Sequence, residues 1–225
     1  MAQLARLLTA WERFLGGFAG ILCTDRYAAY ADHALHLRQL CWAHLKRDIQ
    51  AFVDAGNAAK DVGRLGIAFV ARLFSVWRDF KTHKIDRAGL RMKAFNIKAD
   101  FGRWRAGAAR CSDRRANSLA RQLERVKPAL FTFLEREGVE PTNNSAERTI
   151  RPAVLWRKGS FGTQTEEGNR FVERMLTTAQ TLRLQGRSVL DFVEQTIRAH
   201  ALGHATPSLL PAVQSSGTPS LAATA

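Results

Sequence analysis

The stretch Phe18-Ala-Gly-Ile-Leu-Cys-Thr-Asp-Arg-Tyr-Ala-Ala-Tyr30 opens on a short apolar run bounded by Gly16-Gly17 and by Asp25. A run of this kind between turn residues reads as a buried strand over 18–24 that ends at a carboxylate. In α/β sheets the loops just beyond the carboxyl ends of strands are where ligands and metals bind, which singles out Asp25. Downstream, Leu35-His-Leu-Arg-Gln-Leu-Cys41 alternates in polarity and predicts a neighbouring strand. Upstream, Leu4, Leu7, Leu8, Trp11 and Phe14 recur at helical spacing among Arg6, Glu12 and Arg13. A helix is expected there, since a signal peptide would have an uninterrupted apolar core.

From Trp42 to about Arg136 the apolar period becomes helical: Leu45, Ile49, Phe52 and Val53, then Leu65, Phe69, Leu73, Trp77 and Phe80, then Leu119, Leu123, Val126, Leu130 and Leu134. Three or four helices are expected. Pro141-Thr-Asn-Asn-Ser-Ala-Glu-Arg148 is turn chemistry leading into a helix, and Trp156-Arg-Lys-Gly-Ser-Phe-Gly162 reads as a basic loop punctuated by glycine. A long helix is expected from about Thr165 to Leu184, burying Phe171, Met175, Leu176, Ala179 and Leu182. Ser188 and Asp191 form a capping box for a last helix through His200. After Ala201 no Lys, Arg, Asp or Glu remains, and residues 202–225 are expected to be a disordered tail.

The 225-residue chain holds 34 Lys and Arg against 20 Asp and Glu, for a net charge of +14, and 26 of its basic residues are Arg. The planar guanidinium grips phosphate oxygens two at a time, so nucleic acid is the expected partner and acidic small-molecule substrates are disfavoured. Arg91 to Lys127 contains 11 basic and 3 acidic residues, a local net of +8. So concentrated a charge, with few partners to neutralise it, points to a phosphate-backbone surface. Cys23, Cys41 and Cys111 form no CxxC pair, which indicates neither a disulfide framework nor a cysteine zinc site. No stretch reaches the about 20 apolar residues of a membrane span, and a cytoplasmic location without membrane attachment is expected.

Two carboxylates carry the candidate chemistry. Asp25 and Glu147 both lie beside basic or aromatic residues, in Asp25-Arg-Tyr-Ala-Ala-Tyr30 and Asn143-Asn-Ser-Ala-Glu-Arg-Thr-Ile-Arg151. Cutting a phosphodiester requires charge neutralised on both attacking and leaving oxygens, a task for divalent ions about 3.5 to 4 Å apart on hard carboxylate ligands. Each assignment has a structural alternative. Glu147 stands three residues after Asn144, the spacing of a capping box, and Asp25 also suits a turn. His44 and Cys41 are too few for a four-ligand zinc site.

The same segments resemble the transposases of insertion sequence family 66. Residues 18–30 are similar to that family's G-x-L-x-x-D-G-Y-x-x-Y segment, with Arg26 in place of the usual glycine. Cys41-Trp-Ala-His-Leu-Lys-Arg47 resembles its C-W-A-H-x-R-R block, and Asn143 to Pro152, followed by Arg157-Lys158 and Phe161-Gly162, its N-N-x-A-E-R-x-[IL]-R-P segment. The resemblance implies DDE transposition: strand cleavage and strand transfer on transposon ends and target DNA, with Mg²⁺ or Mn²⁺. Asp25 would then be the second catalytic aspartate and Glu147 the catalytic glutamate, both holding metal. His44, Arg47, Arg148, Arg151, Arg157 and Lys158 are candidates to meet DNA phosphates. For the last four the alternative is an ion-pair network with Glu166, Glu167 and Glu173.

The fold expected from the resemblance is α/β and helix-dominated: a partial ribonuclease H-like core in 1–41, a basic helical insertion in 42–140, and the glutamate segment with C-terminal helices in 141–201. The family's first catalytic aspartate would fall upstream of Met1, which implies an N-terminally truncated copy. A non-catalytic DNA-binding remnant or regulator is the alternative, and a basic ribonucleoprotein-type protein a more distant one. Self-association is expected because transposases work on paired ends.

Overall fold

Two short parallel strands, β1 (Leu22–Thr24) and β2 (Arg38–Leu40), pair in the register Leu22↔Arg38, Cys23↔Gln39 and Thr24↔Leu40. They belong to a computed structural model that describes residues 15–210, so the expected N-terminal helix and residues 211–225 lie outside the described residues. Both strands are shorter than the sequence predicts. Leu35–Leu37 closes into a 3₁₀ turn, with Leu37 N–H donating to Ala34 O at 2.9 Å, so β2 offers β1 only three residues to pair with. Among the described residues the sheet has these two strands only.

Helices supply the rest. They are α1 (Trp42–Asp54), α2 (Lys60–Lys81), α3 (Arg87–Ala109), α4 (Arg114–Arg125), the single turn α5 (Thr132–Glu135), α6 (Asn144–Ser160), α7 (Glu166–Leu184) and α8 (Val189–Ala201). The starts of α3, α4, α7 and α8 are capped by short polar side chains that accept first-turn amides. Asp86 takes Gly89 N–H before α3, Asp113 takes Arg115 and Ala116 N–H before α4, Thr165 takes Gly168 N–H before α7, and Ser188 takes Asp191 N–H before α8. The Ala116 amide bond is the main reason the Asp113 carboxyl is held below the usual range.

The chain divides into two compact units, 1–146 and 147–225. In the first, α1 to α4 pack each on the next around a buried aromatic cluster. Trp42, fully buried, has ring contacts with Phe69, Phe101 and Phe131 at centroid distances of 5.7, 6.2 and 5.6 Å, and its indole N–H donates to Leu130 O at 2.7 Å. Close approach of α1 and α2 depends on Gly66. A Cβ there would stand 2.7 Å from Ile49 Cγ2 and 2.7 Å from Trp104 Nε1.

The predicted apolar faces of this unit are buried at Leu45, Ile49, Phe52, Phe69, Leu73, Trp77, Leu119, Leu123, Leu130 and Leu134, but Leu65 is exposed. The 3.6-residue period places a residue on a face; here Leu65 falls at the face's margin.

In the second unit α6 runs through Arg157, Lys158 and Gly159, where the sequence suggests a loop. One helical glycine costs only about 1 kcal/mol, and the stop comes where Phe161 and Gly162 take positive φ, 60° and 81°. Of the face expected on α7, Leu182 is buried, while Phe171 and Met175 are exposed. Residues just past α8 turn back: Gln185 Nε2 donates to Leu209 O and Arg187 Nη2 to Ser208 O, so the start of the expected tail is held at Ser208 and Leu209.

Candidate functional site

Parallel pairing sends the carboxyl ends of β1 and β2 to one edge, where Asp25 follows Thr24 and the Cys41-Trp42-Ala43-His44 block follows Leu40. Cys41 N–H donates to Thr24 O at 2.7 Å, which locks the two exits together. The chain entering the glutamate segment is tied to the same edge. Trp42 N–H donates to Pro141 O at 2.9 Å and Asn143 N–H to Cys41 Sγ at 3.5 Å. Asp25 itself turns the chain, its Oδ1 accepting Tyr27 N–H at 2.9 Å. The turn and ligand readings of Asp25 are therefore compatible, since the second carboxylate oxygen is not used in that bond.

Arg26, which occupies the position of the family's glycine, ties this loop to two helices. Its Nη2 meets Asp48 Oδ2 on α1 at 2.6 Å and its Nη1 donates to Gln122 Oε1 on α4 at 2.7 Å. The side chain anchors the loop in the place of a small residue.

Arg38 is the residue that sequence reasoning missed. It opens β2, is 4 % exposed, and its Nε is buried with no acceptor among the described residues. Burial lowers its pKa while the charge of Asp25 opposes that shift. Its only sequence signal is a polar residue at an inward position of a strand.

Cys23, two residues before Asp25, is held as a thiol. Burial, then the neighbouring Cys41 and Glu140, pushes its thiol up to about 12. Reactivity follows the thiolate, so iodoacetamide at pH 8 is expected to label Cys23 at least about 100-fold more slowly in the native chain than in urea. Peptide mapping of the alkylated protein checks this, and comparable rates in both states would contradict the burial.

Glu147 is the first residue of the second unit and sits in the first turn of α6; Asn144 is already helical, one position later than a cap would stand. At about 100° per residue, Glu147, Arg148, Arg151 and Lys158 fall within an arc of about 100° on that helix. Arg148, Arg151, Arg157 and Lys158 are exposed. The ion-pair alternative for them is not realised among the described residues: Glu166 pairs with Arg170, and neither Glu167 nor Glu173 pairs with any of the four. His44 is half-buried in the first turn of α1, and Arg47 is exposed on the same helix.

The implied metal receives only part of a ligand set. Among the described residues no group of three or more His, Cys, Asp or Glu side chains converges. Asp25 and Glu147 belong to different units, and two carboxylates do not by themselves hold a pair of ions.

On the basic stretch, Lys93, Lys98, Arg103, Arg105 and Arg115 are engaged by carboxylates, Lys98 with Glu135 and Arg105 with Glu124 among them. Arg110, Arg114, Arg121, Arg125 and Lys127 make no ion pair among the described residues, and all are exposed. Arg114, Arg121 and Arg125 follow i, i+7, i+11 spacing and so lie on one stripe of α4.

The sequence profile of the transposase IS66 family matches residues 3–170. The chain belongs to the IS66 transposase family. The chain is also 29% identical over 209 residues to an uncharacterized protein, y4qI, of Sinorhizobium fredii, covering 85% of this chain and 38% of that one. It thus spans about four tenths of that relative's length. No solved structure matches this IS66 chain. No helix among its described residues is long and apolar enough to cross a membrane.

Proposed function

We propose that the chain is the part of an IS66 transposase that supplies the second aspartate and the glutamate of a DDE set, Asp25 and Glu147, on a ribonuclease H-like core. The activity is metal-dependent cleavage of DNA at transposon ends and transfer of the freed strand to target DNA. Both reactions are in-line phosphoryl transfers, in which the protein's part is positioning and charge stabilisation. One observation carries the reading. The bond from Trp42 N–H to Pro141 O brings the segment leading into Glu147 to the strand edge that presents Asp25. The unpaired basic residues of α4 and α6 then suit backbone contact, which positions DNA without reading bases.

A nicking assay on DNA carrying the element's ends, with Mg²⁺ or Mn²⁺, tests it. Asp25→Ala and Glu147→Ala are each expected to reduce nicking by at least about 10³-fold, the scale of losing a group that acts in the transition state. Asp54→Ala is the control, because exposed Asp54 accepts, among the described residues, only from Gln50 on its own helix. Nicking that survives in both carboxylate variants would sink the assignment.

The absence of a converging third carboxylate among the described residues favours a second reading, a DNA-binding member without catalysis of its own. Salt-sensitive DNA binding with no nicking under either ion would establish it.

A further inference from the structure

A cavity of about 250 Å³ lies within the first unit, between the turn after β1, the start of β2 and the end of α4. Three arginines line it, Arg26, Arg38 and Arg125, together with Tyr27 and Gln122, and no carboxylate is among the lining residues. The arginines differ in what already holds them. Arg26 is committed to Asp48 and Gln122. Arg125, exposed in the last turn of α4, has no ion pair among the described residues. Arg38 is a buried guanidinium whose Nε has no acceptor.

A buried cation without a hydrogen-bonded counter-charge is costly, and a guanidinium stays protonated rather than shedding its charge. Asp25 contributes a favourable field but none of the bonds that the fork of donors requires. What completes the site is a small anion with several acceptor oxygens, and a tetrahedral oxyanion meets a guanidinium in the bidentate geometry that makes such pairs strong. The Tyr27 ring, half-exposed and edge-on to Tyr30, stands at the rim.

We propose that this cavity is a phosphate-binding site, with Arg38 as its floor and Arg125 at its mouth, and that it holds one backbone phosphate of the DNA strand that passes Asp25. The inference rests on the proposed function for the source of the phosphate, not for the site's affinity for the anion. Arg125 ends the basic stripe of α4, so a strand lying along Arg114 and Arg121 reaches the cavity without leaving unpaired cations.

Phosphate titration of the 225-residue chain at constant ionic strength, read by thermal unfolding, tests the site. Wild type is expected to gain about 3 °C at saturation, the scale of a ligand present well above its Kd. Arg38→Gln is expected to abolish the gain, and the exposed Arg125→Gln to weaken phosphate affinity about 3- to 10-fold. Phosphate also stabilises proteins generally by exclusion from their surface, so an equal gain in both variants overturns the proposal. Should Arg38→Gln not fold, an unchanged affinity in Arg125→Gln overturns it alone.

The DNA arm uses duplex binding against salt. Each variant is expected to reduce the slope of log K against log[salt] by about 1, equally for any sequence. A phosphate response lost in Arg38→Gln with an unaltered DNA slope assigns the site to free phosphate and overturns the DNA part. A phosphate response with no nicking activity leaves the site standing and removes the proposed function instead.

Discussion

Replacing Trp42 with alanine is expected to destabilise the first unit by about 3–5 kcal/mol, the range for removing a large aromatic from a packed core. Trp42 is buried on every side: three aromatic rings contact it and its N–H donates to Leu130 O. The loss is therefore twofold, a cavity among Phe69, Phe101 and Phe131 and one of the two donors to the buried Leu130 O. Trp42→Phe separates the two parts. It keeps most of the ring packing and removes only the indole bond to Leu130 O, which still accepts Gln39 Nε2 at 3.1 Å, so it costs about 0.5–1.5 kcal/mol. Urea unfolding followed by circular dichroism gives both values. A loss under about 1 kcal/mol for the alanine variant would mean that the aromatic cluster does not hold this unit together. Because domains of this kind are stable by only about 5–15 kcal/mol, Trp42→Ala is also expected to lower the yield of folded protein.

That Trp42 belongs to a core, and not to a metal site, is legible in the sequence, since Cys41 and His44 are too few to make one. The helices are legible for the same reason: a 3.6-residue period survives in Leu45, Ile49, Phe52 and again in Phe69, Leu73, Trp77. Strand lengths are not. They depend on how many residues the partner strand offers, and the 3₁₀ turn at Leu35–Leu37 is a tertiary outcome that alternation of polarity does not report.

The α6 run through Arg157 and Lys158 was obscured by Gly159 and by Pro152 inside the helix, two residues that usually mark breaks. The face of α7 misled in the opposite direction. Phe171 and Met175 have the right spacing but remain exposed, because periodicity identifies an apolar stripe without saying what covers it. At the site, Asp25, Glu147 and their basic neighbours are readable because charged residues cluster in sequence. Arg38 is not, since its meaning comes from its burial and from the Nε that burial leaves without an acceptor among the described residues.

Gln39, the next residue along β2, carries the second large effect. It is fully buried and satisfies three backbone groups at once: Nε2 donates to Leu40 O at 2.7 Å and Leu130 O at 3.1 Å, and Oε1 accepts Phe133 N–H at 2.9 Å. These bonds pin β2 to the 130–133 segment, and Thr132 Oγ1 adds a bond to Arg38 O at 2.5 Å. Gln39→Leu keeps the volume and removes every one of Gln39's bonds; Leu130 O keeps the Trp42 indole donor, so the cost falls on Leu40 O and the Phe133 N–H, which lose the Gln39 side chain. At about 1–3 kcal/mol for each such group, softened by local relaxation, the expected total is about 3–5 kcal/mol. The effect is local before it is global. Amide exchange at Phe133 is expected to accelerate by at least about 100-fold while amides in the middle of α2 follow only the change in global stability. Uniform acceleration at both places would show that Gln39 contributes to the unit as a whole and does not specifically hold β2. Since β2 presents Arg38, a local loosening of this kind would also weaken the phosphate response without touching any residue of the cavity.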